Sequence, residues 1–243
     1  MKKLDNSIKI TLIIVVGVLV LGLLLSNSLS NPQQNTVSVA GQSTIEVMPD
    51  LVAVYFSVDT KGATSKEASD KNAQISNALT DSLIALGFNM SEIQTQSYSV
   101  YPEYDYSSSS QRLIDYRATN SVKLEIPANE TGKVSASVDA GINAGAGVSY
   151  ISFELNSDSQ NRYKAQALKA ASQDATTKAQ AVADGLGKRL GSLVSVSVDS
   201  YNYMPWMASA SGASSADIQK AAPNIQPSSQ DVTASVTAVF KIR

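Results

Sequence analysis

The sequence predicts an α+β fold of two β-α-β-β repeats, with a mostly antiparallel sheet and packed helices, preceded by one N-terminal transmembrane helix. Three observations support this prediction. A long apolar run lies near the N-terminus, strand-like and helix-like patterns alternate behind it, and their order recurs in two halves of the chain. With 243 residues, the chain is long enough to bury a sizeable core after the N-terminal run is set aside.

The apolar run extends from Ile8 to Leu29 and contains one charged residue, Lys9, at its very start. It would form about 33 Å of helix, which matches a hydrocarbon core of about 30 Å. Lys2 and Lys3 precede it, whereas residues 26–45 carry no charge. Because positive residues are retained on the cytoplasmic side, this asymmetry predicts a cytoplasmic N-terminus and a domain outside the membrane.

A cleavable signal peptide is the alternative to a retained anchor in residues 1–30. Small residues around Ser28 have a possible cleavage spacing, but no Ala-x-Ala motif is present and the apolar core is long. We therefore expect a single-pass membrane protein, with a secreted or periplasmic protein as the alternative after cleavage. Residues 31–36 are predicted to form a polar stalk.

The exported region, residues 37–243, is expected to contain the repeat halves 51–126 and 148–242. Each half reads strand, helix, strand, strand, and Ala85-Leu-Gly87 corresponds to Gly185-Leu-Gly187 at the helix ends. A stretch rich in Ser, Ala and Pro at 204–230 predicts a flexible hairpin insertion. The sequence leaves open whether the two halves share one sheet or form two lobes.

Composition excludes several classes of function. The chain has no histidine and no cysteine, which removes the commonest general base, the commonest metal ligand and any thiol nucleophile. We therefore expect no enzymatic activity, no metal and no cofactor. The net charge is −2 with both signs scattered along the chain, so no nucleic-acid partner is expected.

Aromatic residues cluster in the two predicted hairpins, where tyrosine and tryptophan provide a large contact area at low entropic cost. Those nearest the hairpin tips are the candidates for an interface with a second copy or a protein partner. They are Tyr101, Tyr104, Tyr106, Tyr203 and Trp206. The alternative is ordinary cross-strand aromatic pairing, which is favoured for Tyr98 and Tyr116 inside the strands.

Carboxylates in the first hairpin support a second functional hypothesis. Glu103, Asp105 and Asp115 could form a site for a small ligand, or a site for an enzyme that uses carboxylates and tyrosines. A solvated strand edge, neutralised by nearby arginines, is the alternative. Separately, Asn72 lies on the apolar stripe of the first helix, so we expect it to be buried and bonded to backbone near the Pro49-Asp50 turn.

An ordered series of short motifs spans the exported region. It comprises Val37-Ser-Val-Ala-Gly41, Pro49-Asp50, Ile93-Gln-Thr95, Tyr101-Pro-Glu-Tyr104, Tyr116-Arg-Ala-Thr-Asn120, Ala140-Gly141, Ile151-Ser-Phe153 and Leu186-Gly187. In this order the motifs resemble the SIMPL-domain family of envelope proteins, formerly a domain of unknown function. The resemblance implies an exported α+β domain, self-association in some members and a role in envelope or oxidative stress protection. It supplies no catalytic residues.

The sequence thus predicts a membrane-tethered, extracytoplasmic SIMPL-like protein that acts without catalysis. Its expected mode of action is self-association, as a homo-oligomer, or binding to a protein partner. The small-ligand protein or carboxylate enzyme with its site at the first hairpin is the alternative.

Overall fold

The computed structural model describes residues 35–106, 112–209 and 228–243, together with Val15 and Gly17. These residues form three helices, α1 (Ser65–Ala85), α2 (Gly132–Asn143) and α3 (Ser157–Gly185), and one 3-10 turn, Met90–Glu92. They also form eight strands: β1 (Thr36–Val47), β2 (Leu51–Gly62), β3 (Ile93–Asp105), β4 (Arg112–Pro127), β5 (Gly147–Glu154), β6 (Leu190–Tyr203), β7 (Trp206–Ser209) and β8 (Gln230–Ile242).

The predicted transmembrane helix at Ile8–Leu29 lies outside the described residues, apart from Val15 and Gly17. Of the helices in the described ranges, none is long and apolar enough to cross a membrane.

The strands form two separate antiparallel sheets. One has five strands in the order β3-β4-β2-β5-β7, and the other has three in the order β1-β8-β6. Helices α1 and α2 contact the five-stranded sheet, and α3 contacts the three-stranded sheet. The α+β class and the antiparallel pairing are therefore confirmed, and the question of one sheet or two is answered with two.

The sheets do not follow the two sequence halves. Strand β5, which begins the second half, pairs with β2 and so belongs to the first sheet. The strand beside β8 is instead β1, which occupies the position that β2 has beside β4 in the first sheet. The second structural unit is therefore β1, α3, β6 and β8. This exchange links the two layers, because the chain passes between them at the β1–β2 turn and again after β5.

Large side chains fill the first layer, in which two helices cover the five-stranded sheet. Phe56, Leu79, Leu83, Leu124 and Phe153 are essentially inaccessible to solvent. The ring of Phe56 lies against α2 at Gly141, where an added Cβ would be 2.3 Å from the ring. Only glycine permits this approach, and the Ala140-Gly141 motif is thereby explained.

The second layer is packed with small side chains. The buried face of α3 consists of Ala167, Ala171, Ala175, Ala179 and Ala183, all fully buried. The helix therefore lies close to the sheet. At Gly41 of β1, an added Cβ would be 2.1 Å from the Ala171 carbonyl oxygen and 2.5 Å from the Ala175 amide nitrogen.

The helical periodicity of residues 159–186 predicts an inner stripe of Ala167 or Leu168, Ala171, Ala175, Ala179, Val182 and Leu186, and this prediction is wrong at its C-terminal end. It placed Val182 and Leu186 inside, but these side chains are 41% and 64% exposed. The buried stripe instead keeps a four-residue spacing to Ala183, because the alanines alone allow the close contact with the sheet.

Asn72 is fully buried, as predicted, but its partners are not at the β1–β2 turn. Its Nδ2 donates to the carbonyl oxygens of Val58 at 2.9 Å and Ala118 at 3.0 Å, so it links α1 to β2 and β4. Asp50 of the turn caps α3 instead. It accepts hydrogen bonds from the Asn156 amide at 2.7 Å and from the Ser159 hydroxyl.

Part of the predicted flexible insertion at 204–230 is ordered as a strand. β7 pairs with β5, with Trp206 opposite Phe153. The remainder, residues 210–227, lies outside the described residues, as does the serine-rich tip of the first hairpin at 107–111.

Candidate functional site

The first hairpin, β3 and β4, lies at one edge of the five-stranded sheet. Five of its large apolar or aromatic side chains are exposed, on both faces of the hairpin, and we call them together the hairpin surface. They are Tyr98, Tyr101, Tyr106, Leu113 and Ile114, with exposed fractions of 52, 43, 72, 43 and 55%. Two of the predicted interface residues, Tyr101 and Tyr106, therefore belong to an exposed surface on an edge hairpin.

The other predicted interface residues have different surroundings. Tyr104 is half-buried, with its ring centroid 6.4 Å from that of Tyr106. Trp206 is 42% exposed and packs at 5.6 Å on the ring of Phe153 in β5. Trp206 therefore extends the apolar contacts of the first layer, and Tyr104 lies beside the exposed ring of Tyr106.

Tyr203 is directed towards the interior. Its hydroxyl accepts a hydrogen bond of 2.8 Å from the Leu155 amide, and its ring packs with the core of the second layer. Burial raises the pKa of Tyr203 to about 12. The two hairpins are therefore not equivalent, and Tyr203 does not join the first-hairpin tyrosines in one surface.

A second uncovered surface was missed by the sequence reasoning. Strand β6 pairs with β8 on one side and, among the described strands, has no partner on the other. Four of its apolar side chains form what we call the β6 surface. They are Leu193, Val194, Val196 and Val198, which are 45–58% exposed. Two features of the sequence indicated this surface. β6 is an apolar strand, and α3, the helix in the same half of the chain, has an all-alanine face that is too narrow to cover three strands.

Two of the four edge strands, β3 and β6, differ in how well they are protected against pairing with another strand. Proteins commonly block sheet edges with proline and charge. β3 carries Pro102 and charged residues close by, whereas β6 contains no proline and a single charged residue, Asp199. The pairing of β6 with β8 is also irregular at three places, which leaves ladder groups without regular partners.

The carboxylates of the first hairpin are held in ion pairs. Glu103 and Asp115 lie opposite each other in the β3–β4 register, and Lys61 of β2 reaches both, at 2.6 and 3.8 Å. The hydrogen bond from Lys61 holds the pKa of Glu103 below its ordinary value. Asp105 lies opposite Arg112. These charged side chains form a row of ion pairs across three strands. The arrangement is that of the solvated, neutralised strand edge given above as the alternative, rather than that of an acid–base pair.

Another polar cluster lies in the middle of the sheet face that points away from α1 and α2. Glu154 accepts hydrogen bonds from Tyr55 at 3.0 Å, Ser152 at 2.5 Å and Lys123 at 2.8 Å. Lys123 also pairs with Glu125 at 2.9 Å. Local sequence patterns did not predict this cluster, because its members come from three different strands.

The electrostatics of this cluster are those of a satisfied ion pair. Burial raises the pKa of Glu154, but hydrogen bonds from Lys123 and Ser152 outweigh it and hold that pKa below its ordinary value. Burial lowers the pKa of Lys123, and its two carboxylate partners outweigh that effect and raise it. Burial and the Glu154 carboxylate raise the pKa of Tyr55. Both charged groups are thus stabilised in their charged forms, and the tyrosine in its neutral form.

The cavities found on the described residues lie elsewhere. One of about 750 Å³ follows the outer face of α3, and another of about 530 Å³ follows α1. Neither is lined by Glu103, Asp115 or Glu154. Within the described ranges, no group of three or more Asp or Glu residues is arranged to hold a metal ion.

The fold and these surfaces define a two-layer α+β protein with apolar side chains uncovered on the β3–β4 hairpin and on the edge strand β6. The chain belongs to the SIMPL family, described as proteins of unknown function (DUF541), whose pattern matches residues 37–240.

Curated relatives are similar over most of the chain. An uncharacterized protein, YggE, from Escherichia coli K12 is 28% identical over 178 residues, which cover 72% of this chain and 70% of that protein. The YggE of Edwardsiella ictaluri is 25% identical, with 72% of each chain covered. A 26 kDa periplasmic immunogenic protein of Brucella melitensis is 26% identical over 180 residues, covering 71% of this chain and 70% of that one.

Proposed function

We propose that this protein is a membrane-tethered, extracytoplasmic SIMPL protein that acts without catalysis, through self-association of its uncovered strands. The observation that carries the proposal is the β6 surface, an apolar face on a long edge strand. The hairpin surface on the other sheet gives a second contact on the same molecule, so copies can join through two different patches.

Strand addition explains why the β6 surface suits a second copy. An edge strand presents a row of unpaired N–H and C=O groups that can pair with another strand. Burying an apolar side chain in such a contact contributes about 25 cal/mol for each Å² removed from water. The four apolar side chains of β6 would gain this energy together with new backbone hydrogen bonds.

The hairpin surface suits contact through side chains rather than through the backbone. Pro102 removes one backbone donor from the β3 edge, and the Lys61–Glu103 pair places charge beside it. Tyrosines are enriched in the centres of protein interfaces because they combine apolar area with one polar group. Tyr101 and Tyr106 have this character here.

Two observations support the proposed location. One relative is named a periplasmic protein, and the apolar segment Ile8–Leu29 has the length of a membrane anchor. Tethering to a membrane raises the effective concentration of the domains, so that weak strand contacts suffice for assembly.

The ion pairs argue against the alternative of a carboxylate enzyme or ligand site at the first hairpin. A general acid needs a raised pKa, whereas Lys61 holds the pKa of Glu103 low. Neither of the two cavities on α3 and α1 includes Glu103 or Asp115.

Light scattering on the full chain in detergent tests the proposal. We expect a mass that is a multiple of 25.6 kDa. The triple variant Tyr101→Ser, Tyr106→Ser, Ile114→Ser should lower that mass by removing the hairpin contact. The matched control, Ile84→Ser, Leu86→Ser, Met90→Ser, removes as many exposed apolar residues near the end of α1 and should leave the mass unchanged. A wild-type monomer at all concentrations would refute self-association.

A further inference from the structure

The ends of four secondary-structure elements lie together at one end of the three-stranded sheet. The start of β1, the end of β8, the start of β6 and the C-terminus of α3 all meet there. Arg189 and Arg243 exchange backbone hydrogen bonds of 2.8 and 2.9 Å, and the Ile242 amide donates to the Asn35 carbonyl oxygen at 2.8 Å. Asn35, the first residue of the described range 35–106, is therefore fixed at this end.

This end is basic. Because Arg189 and Arg243 exchange both hydrogen bonds, their side chains lie directly opposite on one face of the sheet. Lys241, two residues before Arg243, lies on the same face, and Lys188 is adjacent in the chain. All four are exposed, and none forms an ion pair with another described residue.

The juxtaposition of two arginines has an energetic cost. Like charges directly opposite across a strand pair are destabilising, and no Asp or Glu side chain of the described residues forms an ion pair with either arginine. Asp184 in the last turn of α3 accepts a hydrogen bond from Gln180, and Asp199 accepts one from Thr237 farther along the sheet. An external anion beside the two guanidinium groups would reduce this repulsion.

The opposite end of the same sheet is acidic. Glu46 and Asp231 lie opposite each other in the β1–β8 register, and both are exposed. At about 3.4 Å per residue, the ten residues from Asp231 to Lys241 separate the acidic and basic ends by about 34 Å. The three-stranded sheet is thus charged with opposite sign at its two ends.

The path of the chain brings the basic end towards the membrane. Five residues lie between Leu29, the end of the apolar segment, and Asn35, and the six steps from one to the other span at most about 22 Å when fully extended. Charges interact with a surface over a Debye length of about 10 Å. The basic end is therefore the part of the domain that the membrane surface attracts.

We infer that this basic end, formed by Lys188, Arg189, Lys241 and Arg243, binds the anionic headgroups of phospholipids and holds the domain upright. Guanidinium groups bind phosphate oxygens in pairs, and each basic residue near an anionic surface contributes about 1 kcal/mol. The acidic end is repelled by the same surface. Uprightness keeps β6 roughly perpendicular to the membrane, where neighbouring copies meet edge to edge. The inference rests on the proposed membrane tether only for placing the basic end near the membrane and the domain upright on it.

Energy transfer from the domain to the membrane surface tests the inference. The chain has no cysteine, so Met48→Cys places a single dye at the acidic end, where Met48 is 55% exposed. The full chain is reconstituted into vesicles of phosphatidylcholine alone or with about 30% phosphatidylglycerol, each carrying acceptors on the headgroups. Transfer should fall about two-fold in the anionic vesicles, because the acidic end is held away from the surface.

Matched variants separate headgroup binding from other effects. Arg189→Gln, Lys241→Gln, Arg243→Gln should abolish the difference between the two vesicle types. The control Lys66→Gln, Lys71→Gln, Lys133→Gln removes the same charge from α1 and α2 and should retain it. Equal transfer in both vesicle types, or equal loss in the control, would overturn the inference.

Flotation distinguishes failure of this inference from failure of the tether. A chain that does not float with phosphatidylcholine vesicles lacks the anchor. In that case, flotation with anionic vesicles that the arginine variant loses would still support headgroup binding.

A head-to-tail contact between the basic end of one copy and the Glu46–Asp231 end of another predicts a different result. The arginine variant would then lower the mass in the absence of lipid, and this would overturn the lipid assignment.

Discussion

The two helix–sheet layers solve the same packing problem with different side chains. In the first, two helices cover a five-stranded sheet, and Phe56, Phe153 and Leu124 fill the space between them. In the second, one helix with an all-alanine face lies directly on a three-stranded sheet. The first layer is stabilised by large side chains that fill the space between helices and sheet. The second is stabilised by small side chains that let the helix lie close to the sheet.

The difference explains where apolar surface is left uncovered. A helix with its side chains is about 10 Å wide, and strands are about 4.8 Å apart, so that one helix covers about two strands. The three-stranded sheet therefore has one strand more than α3 can cover, and that strand is β6. The five-stranded sheet is covered by two helices, and its edge hairpin β3–β4 also extends past them.

The largest effect is expected from a loss of volume in the first layer. Phe56→Ala should lower the free energy of unfolding by about 4 kcal/mol, because it leaves a cavity between β2 and α2. Urea denaturation followed by circular dichroism measures this change. Val182→Ala, which truncates a half-exposed side chain on α3, is the control and should cost less than about 0.5 kcal/mol. A small loss for Phe56→Ala would show that the first layer is loosely packed.

A gain of volume should damage the second layer. Ala175→Leu inserts a large side chain where α3 approaches Gly41, and we expect a loss of about 3 kcal/mol. The same denaturation measurement applies. Thr177→Leu makes a comparable change on the exposed side of α3 and should be nearly neutral. If the two variants were equally stable, the close helix–sheet contact would be absent.

The first layer also carries a partly buried ion pair, for which the second has no counterpart among the described residues. Glu154→Gln should cost about 2 kcal/mol at pH 7, because Lys123 loses its charged partner. The folded pKa of Glu154 lies below its unfolded value of about 4.3, so its stabilisation is complete above that pH and is lost as the pH falls through the folded pKa.

Denaturation at pH 7 and at about pH 3 distinguishes this pair from a surface pair. The difference between wild type and Glu154→Gln should shrink in acid. Asp70→Asn, which breaks the exposed Lys66–Asp70 pair, should cost less than about 0.5 kcal/mol at either pH. A cost for Glu154→Gln that does not change with pH would assign the effect to packing.

Asp50 connects the two layers, and its replacement should have the smallest effect on total stability. Asp50→Ala removes a cap of α3 and should cost about 1 kcal/mol. The single tryptophan, Trp206, reports on the first layer by fluorescence, and circular dichroism reports on all helices. In wild type the two transitions should coincide, and in Asp50→Ala they should separate. Asp81→Ala, on the exposed face of α1, should keep them together.

Local patterns predicted the elements but not their arrangement. The helices, the long strands and the burial of Asn72 followed from periodicity. The exchange of β1 and β5 between sheets did not, because strand pairing depends on long-range contacts that the two similar halves leave ambiguous. The sequence repeat favoured pairing within each half, whereas the β1–β2 turn places β1 in the other layer.

The candidate surfaces were predictable only in part. Tyr101 and Tyr106 lie on an edge hairpin because tyrosines near a hairpin tip have few neighbours to bury them. Tyr203 has the same local context, but the core of the second layer reaches it. The β6 surface could not be recognised from its own residues, because an apolar strand is normally covered. Its exposure depends on the width of α3 and the number of strands beneath it.

Site-directed cross-linking in membranes tests self-association through the uncovered strands most directly. Because the chain lacks cysteine, single cysteines at Ser197 on β6 and Ser97 on β3 mark the two edges, and Ser172 marks the outer face of α3. With a short bis-maleimide linker, self-association through these edges should give copy-to-copy cross-links from Ser197→Cys. Fewer cross-links are expected from Ser97→Cys, and almost none from Ser172→Cys. Equal yields at all three positions, or none at either edge, would contradict it.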